Sequence, residues 1–177
     1  KNYVGIDTSS DQLSPVTIDN LTSVVQLGKG GYHSCARLSG GSIKCWGYNW
    51  NGYLGDGTTT SRKTPVAVSG ISNALYLGTS TENSCSVLTD GTVKCWGDNY
   101  NGQLGDGTTT DRLSPVSVSG ITGATQVDGG YYSSCALLSN GTVKCWGQKG
   151  VYGFLGDGNI GIKTSPVSVS GLSSVSE

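Results

Sequence analysis

Three features of the sequence predict an all-β fold of small antiparallel sheets: its glycine content, a repeat of about fifty residues, and turn dipeptides at one fixed place in each repeat. With 29 glycines and 35% hydrophobic residues among 177, the chain is turn-dense and made of short elements rather than long helices. A period of that length is the spacing of stacked or radial β architectures.

The elements follow in order. Residues 1–20 read as the tail of a repeat: VGIDTSSDQLSPVTIDN is a looser copy of LGDGTTTDRLSPVSVSG at 104–120. Val4 to Asp7 takes the slot of Leu104 to Gly107, and Leu13 to Ile18 that of a final strand. Repeat 1 spans 21–70, repeat 2 spans 71–120, repeat 3 spans 121–171, and 172–177 begin a further first strand. Each full repeat predicts a first strand (VVQLG, ALYLG, ATQVD), a hairpin, a long loop and a final strand (TPVAVSG, SPVSVSG, SPVSVSG). The loops carry LGDG at 54–57, 104–107 and 155–158, and the third repeat has one extra residue between Trp146 and Leu155. An insertion there is expected in a loop.

The hairpins CARLSGGSIKCWG, CSVLTDGTVKCWG and CALLSNGTVKCWG turn at Gly40-Gly41, Asp90-Gly91 and Asn140-Gly141. These dipeptides predict a two-residue type I′ turn. In that register Cys35 faces Trp46, and Cys35 and Cys45 fall on opposite faces. A disulfide within the hairpin then needs a bulge or a longer loop, and SGGS has room for either.

The six cysteines form three pairs with nine residues between partners: Cys35 and Cys45, Cys85 and Cys95, Cys135 and Cys145. Regular pairing in a glycine-rich chain argues for disulfides and an oxidising compartment, hence a secreted or cell-surface protein. The other reading is reduced cysteines in the core or on a metal. No Cys-x-x-Cys spacing or second histidine supports a metal site, and no cofactor is expected. A net charge of −1 with 13% charged residues excludes a basic nucleic-acid footprint, and no apolar run is long enough to span a membrane as a helix. There is no signal peptide and no methionine, so Lys1 is expected to start a processed or excised chain.

These phrases resemble the repeats of the regulator of chromosome condensation family, seven-bladed β-propellers with bacterial and secreted members. The family pattern has a glycine, a small polar residue, Ala-Leu, an Asp-Gly turn, Val, Trp-Gly, Asn, Gly-Gln-Leu-Gly and a later Pro-Val. It is matched by Gly30 to Val66, Gly78 to Val116 and Gly130 to Val167. The resemblance implies propeller-type blades of short antiparallel strands, here an incomplete ring of about three and a half repeats. The hairpin cysteines resemble extracellular relatives rather than the nuclear exchange factor. The fold says nothing of activity, because propellers host unrelated functions.

The two ends supply a last strand and part of a first strand without a cysteine hairpin between them, so a ring does not close within this chain. Exposed sheet edges invite pairing with identical neighbours. The expectation is head-to-tail self-association, as a homo-oligomer or filament, with Leu13, Pro15, Val16 and Ile18 on the exchanged strand. The alternative is a slice of a longer propeller.

Catalytic residues are not expected. His33 is the only histidine, Asn83 and Ser133 occupy its place in the other repeats, and it reads as a structural hydrogen-bonding group. Asp56, Asp106 and Asp157 of LGDG fit turn chemistry better than calcium ligation, and Trp46, Trp96 and Trp146 fit blade packing. A candidate binding face lies after each Trp-Gly: Tyr48, Trp50, Tyr53, Tyr100, Tyr152 and Phe154 suit sugar stacking or protein contact, with packing between blades as the other reading. A lectin or a secreted enzyme inhibitor is the competing function. Asn20 and Asn140 head N-glycosylation sequons, Asn83-Ser84-Cys85 is a rare variant of one, and the threonines at 58–60 and 108–110 are candidates for O-linked sugars.

Overall fold

The computed structural model describes residues 5–7, 13–148 and 155–176. Among these residues twelve strands form three four-stranded antiparallel meanders. Blade 1 is β1 (Val24–Lys29), β2 (His33–Leu38), β3 (Ile43–Gly47) and β4 (Arg62–Ala67); blade 2 is β5 (Ala74–Thr79), β6 (Asn83–Leu88), β7 (Val93–Gly97) and β8 (Arg112–Ser117); blade 3 is β9 (Ala124–Gly129), β10 (Ser133–Leu138), β11 (Val143–Gly147) and β12 (Lys163–Ser168). The blades form an open arc and lie within residues 24–67, 74–117 and 124–168.

The hairpin register differs from the type I′ expectation. Cys35 pairs directly with Cys45, Cys85 with Cys95 and Cys135 with Cys145. The Leu38 N–H donates to Ser42 O and the Gly41 N–H to Leu38 O, which closes a three-residue loop. Only its last residue is left-handed (Gly41, φ 81°), as in a type I turn followed by a glycine bulge. The added residue puts both cysteines on one face, with Cα atoms 4.1, 4.0 and 4.0 Å apart, and all three pairs are disulfide-bonded.

The hydrophobic cores sit between blades. One gathers Cys35, Ile43, Leu54 and Val68 of blade 1 against Ala74, Leu77, Leu88 and Trp96 of blade 2. The other gathers Val87, Val93, Leu104 and Val118 of blade 2 against Ala124, Val127, Ala136 and Trp146 of blade 3. At each junction a tryptophan docks on the preceding blade's LGDG loop. The Trp96 Nε1–H donates to Tyr53 O (3.1 Å), and the Trp146 Nε1–H donates to Gln103 O (2.9 Å). Gly55 and Gly105 lie under these rings with φ of 66° and 68°, and a Cβ on either would sit 2.7 Å from the indole Cδ1. Only glycine accepts both the backbone angle and the approach of the ring. Val68 and Val118 wall the same two cradles.

The pattern extends past both outer blades. Gly5 and Ile18 cover Trp46 as Gly55 and Val68 cover Trp96. The amino-terminal segment thus stands where a preceding blade's outgoing loop would stand. Leu13 to Ile18, expected as a final strand, form no strand ladder, because no hairpin among the described residues lies beside them to supply partners. Leu13 is 98% exposed. On blade 3, Gly156 and Val169 form the same cradle; among the described residues Val169 alone lies within 4 Å of a Cβ placed on Gly156, with no indole over it.

Candidate functional site

The long loops of blades 1 and 2 are each built around a buried asparagine. Asn49 Nδ2 donates to Asp56 Oδ1, Thr58 O and Thr60 O, and its Oδ1 accepts from the Leu54 N–H. Asn99 repeats this with Asp106, Thr108, Thr110 and Leu104. Asp56 also accepts from Thr58 and pairs with Arg62 at 3.1 Å, while Asp106 pairs with Arg112 at 2.7 Å. Hydrogen bonds from the threonine, arginine and asparagine side chains outweigh burial and hold the Asp56 carboxyl below its usual range. The LGDG aspartates therefore knit the loop, and among the described residues no group of three or more His, Cys, Asp or Glu is placed to hold a metal.

This scaffold presents an aromatic cleft at the junction of blades 1 and 2. Tyr32 from the β1–β2 loop, Tyr48, Trp50 and Tyr53 from the β3–β4 loop, and Glu82 from the β5–β6 loop line a pocket of about 300 Å³. Tyr32 stands edge-on to Tyr48 (centroids 6.2 Å, 87°) and stacks over Tyr53 (6.5 Å, 18°), while Tyr48 meets Trp50 at 5.3 Å. Tyr53 is 4% exposed and forms the floor; Trp50 is 69% exposed and forms a free-standing wall.

One side of the cleft is acidic. Burial raises the Glu82 carboxyl above its usual range, and the charges of Asp98 and Asp111 add to the rise. Asp111 is raised by burial and by Asp98 against a lowering bond from the Asn99 N–H. Burial, then Glu82, Asp98 and Asp111, push the Tyr53 phenol up. Asp98 accepts from Asn51 Nδ2 (2.8 Å) and from Gln103 Nε2. The four ion pairs among the described residues use Asp56, Asp7, Asp106 and Asp157, so none neutralises Glu82, Asp98 or Asp111.

Of the residues expected on a binding face, Tyr48, Trp50 and Tyr53 converge here. Tyr100 takes the Trp50 position one blade on, exposed but outside the pocket lining. Tyr152 and Phe154 lie outside the described residues. Tyr32 and Glu82, which sequence reading missed, occupy one repeat position, as do Tyr48 and Asp98, and Tyr53 and Gln103. The cleft forms where the repeats differ, and aligning those differences would have exposed it. Asn140 Oδ1 accepts from Thr142 N and Oγ1 on an exposed turn, and Asn20 is exposed with φ 57°.

His33 is not part of the cleft lining. It is 3% exposed, and its Nε2 lies 2.7 Å from Ser84 Oγ across the junction, a contact that Asn83 repeats to Ser134. Burial lowers its pKa from 6.5 to about 4. Between those values the unfolded chain binds a proton that the folded chain refuses, so stability falls as pH drops through this window and is fully present above it. The gap corresponds to about 3 kcal/mol. In chemical melts at pH 7 and pH 4, His33→Asn is expected to lose less stability than the native chain; an equal loss would contradict the buried neutral ring.

Face-to-face four-stranded meanders, each locked by a tryptophan on the preceding loop, define a propeller-type repeat protein. The family models described as the regulator of chromosome condensation (RCC1) repeat match residues 90–137 and 124–153. Residues 90–153 thus match that repeat, and each of the three blades carries a hairpin disulfide. The crystal structure of human WBSCR16 is similar at 26% identity and a TM-score of 0.74, over 83% of this chain and 38% of that one. Yeast RCC1 (Prp20) bound to Kap60 is similar at 18% identity and a TM-score of 0.72, over 85% of this chain and 38% of that one. Saccharomyces cerevisiae Prp20p, described with its binding to Gsp1p and histones, is similar at 19% identity and a TM-score of 0.73, over 85% of this chain and 39% of that one. The chain thus spans well under half the length of these proteins, and the two yeast likenesses speak for the fold alone. No curated protein matches the sequence.

Proposed function

We propose that the chain is a non-enzymatic, extracellular structural protein that self-associates head to tail through its blade faces. The observation that carries this reading is the cradle of Gly156 and Val169, which repeats the seats of Trp96 and Trp146 and has no indole over it among the described residues. Blade 1 of a second copy brings Trp46 to that seat. The segment carrying Leu13, Pro15, Val16 and Ile18, now over Trp46, is then released to complete a neighbouring sheet. Three disulfides support a secreted or surface location, with Asn20 and Asn140 as sites for attached glycans. Electron microscopy of the purified chain tests the reading: filaments or closed rings are expected, and isolated particles alone would overturn it.

A second reading, a secreted binding module such as a lectin or enzyme inhibitor, is favoured by the aromatic cleft. Similar structures are described with protein partners, which supports an interaction role without naming a partner here. Loss of ligand binding in Trp50→Ala with the fold intact is the expected result.

A further inference from the structure

We propose that the cleft between blades 1 and 2 is a receptor site for a small organic cation with a quaternary or protonated alkylammonium head. This deepens the binding-module reading and rests on it. Aromatic faces carry negative potential, so a cation held among several rings is attracted by each of them. Here Tyr32, Tyr48, Trp50 and Tyr53 enclose a space of about 300 Å³. That volume is at the lower end for small-molecule sites and suits a compact head group.

The rings alone would serve a neutral apolar ligand equally well, and the acidic side decides between them. Glu82 sits in the lining itself, with Asp98 and Asp111 close enough to raise its carboxyl. Three crowded carboxyls without an ion-pair partner among the described residues are relieved by an incoming positive charge and opposed by an anion. A sugar would use the rings but gain little from the charge. The site also stands apart from the repeat architecture. The repeat supplies Gln103 where Tyr53 forms the floor and Asp98 where Tyr48 forms a wall, so this chemistry occurs at one junction and is not a packing rule of the blades. The cleft is fixed from behind by the Asn49 and Asp56 scaffold, and so is formed before any ligand arrives.

The test is a titration of the full chain with tetramethylammonium and choline, followed by the indole N–H resonance of Trp50, with 3,3-dimethyl-1-butanol as neutral isostere and methyl glucoside as sugar. Saturable binding of the two cations is expected, at least about ten-fold tighter than the neutral isostere. Trp50→Ala, at an exposed position, should abolish it, and the near-isosteric Glu82→Gln should weaken it about ten-fold, both with unchanged thermal melts and with binding read by calorimetry. Equal affinity for the neutral isostere, or binding of the glucoside alone, would overturn the cation site while leaving the cleft a binding site. Failure of every probe would overturn both. A trimethyllysine peptide binding more tightly than choline would move the occupant to a protein partner and contradict the assignment.

Discussion

Trp96→Ala is expected to destabilise the chain by about 3–5 kcal/mol, the range for emptying a fully buried aromatic site. The indole is 0% exposed, fills the seat of Gly55 and Val68, and donates its N–H to Tyr53 O. Its removal opens a cavity at the junction and leaves that carbonyl without its donor. Domains of this size are stable by roughly 5–15 kcal/mol, so the variant should melt many degrees lower or fail to fold. Trp50→Ala supplies the control, because its ring is exposed, and should shift stability by under about 0.5 kcal/mol. Denaturant titration with both variants checks the pair. Similar losses in the two would mean that the junction does not hold the blades together.

Reduction of the three disulfides should have the second large effect. Each closes a short hairpin loop and contributes roughly 2–3 kcal/mol through the unfolded chain. Since each bond pins its own blade, and each blade seats the next, the losses are expected to spread through the arc. A reductant should bring the melting transition close to ambient temperature, and one Cys85→Ala, Cys95→Ala double variant should lose about a third of that effect. A reduced chain that melts with the oxidised one would leave the strand ladders and junctions alone as the source of stability.

The blades were legible in the sequence because their determinants are local and recur. The fifty-residue period, the cysteine hairpins and the tryptophans each predict one element that the structure contains. The turn at Gly40-Gly41 was misread for a physical reason: a glycine after a turn residue suits both a type I′ turn and a type I turn with a bulge. The disulfide itself chooses, since only the three-residue loop sets Cys35 opposite Cys45. Leu13 to Ile18 matched a strand by sequence, yet strand character depends on a neighbour, and a ladder cannot be read from one side.

The site was partly legible. Tyr48, Trp50 and Tyr53 stand in one loop and could be read together, whereas Tyr32 and Glu82 arrive from loops about fifty residues apart and meet only when the blades stack. The role of Asp56 was half read. Its turn chemistry is present, and its bonds to Asn49 and Arg62 depend on loop closure. His33 was read as a structural group, and its partner Ser84 belongs to the next blade.

One kind of blade-to-blade seat, a tryptophan over a glycine and a β-branched side chain, builds the arc, and in the proposed assembly it also joins one copy to the next. Light scattering of the purified chain over a range of concentrations is the test, with Val169→Glu as the variant that places a charge in the cradle on blade 3. The mass is expected to exceed the 18.2 kDa of one chain, to rise with concentration and to return to that value in the variant. A native chain that stays at the single-chain mass at every concentration would contradict it.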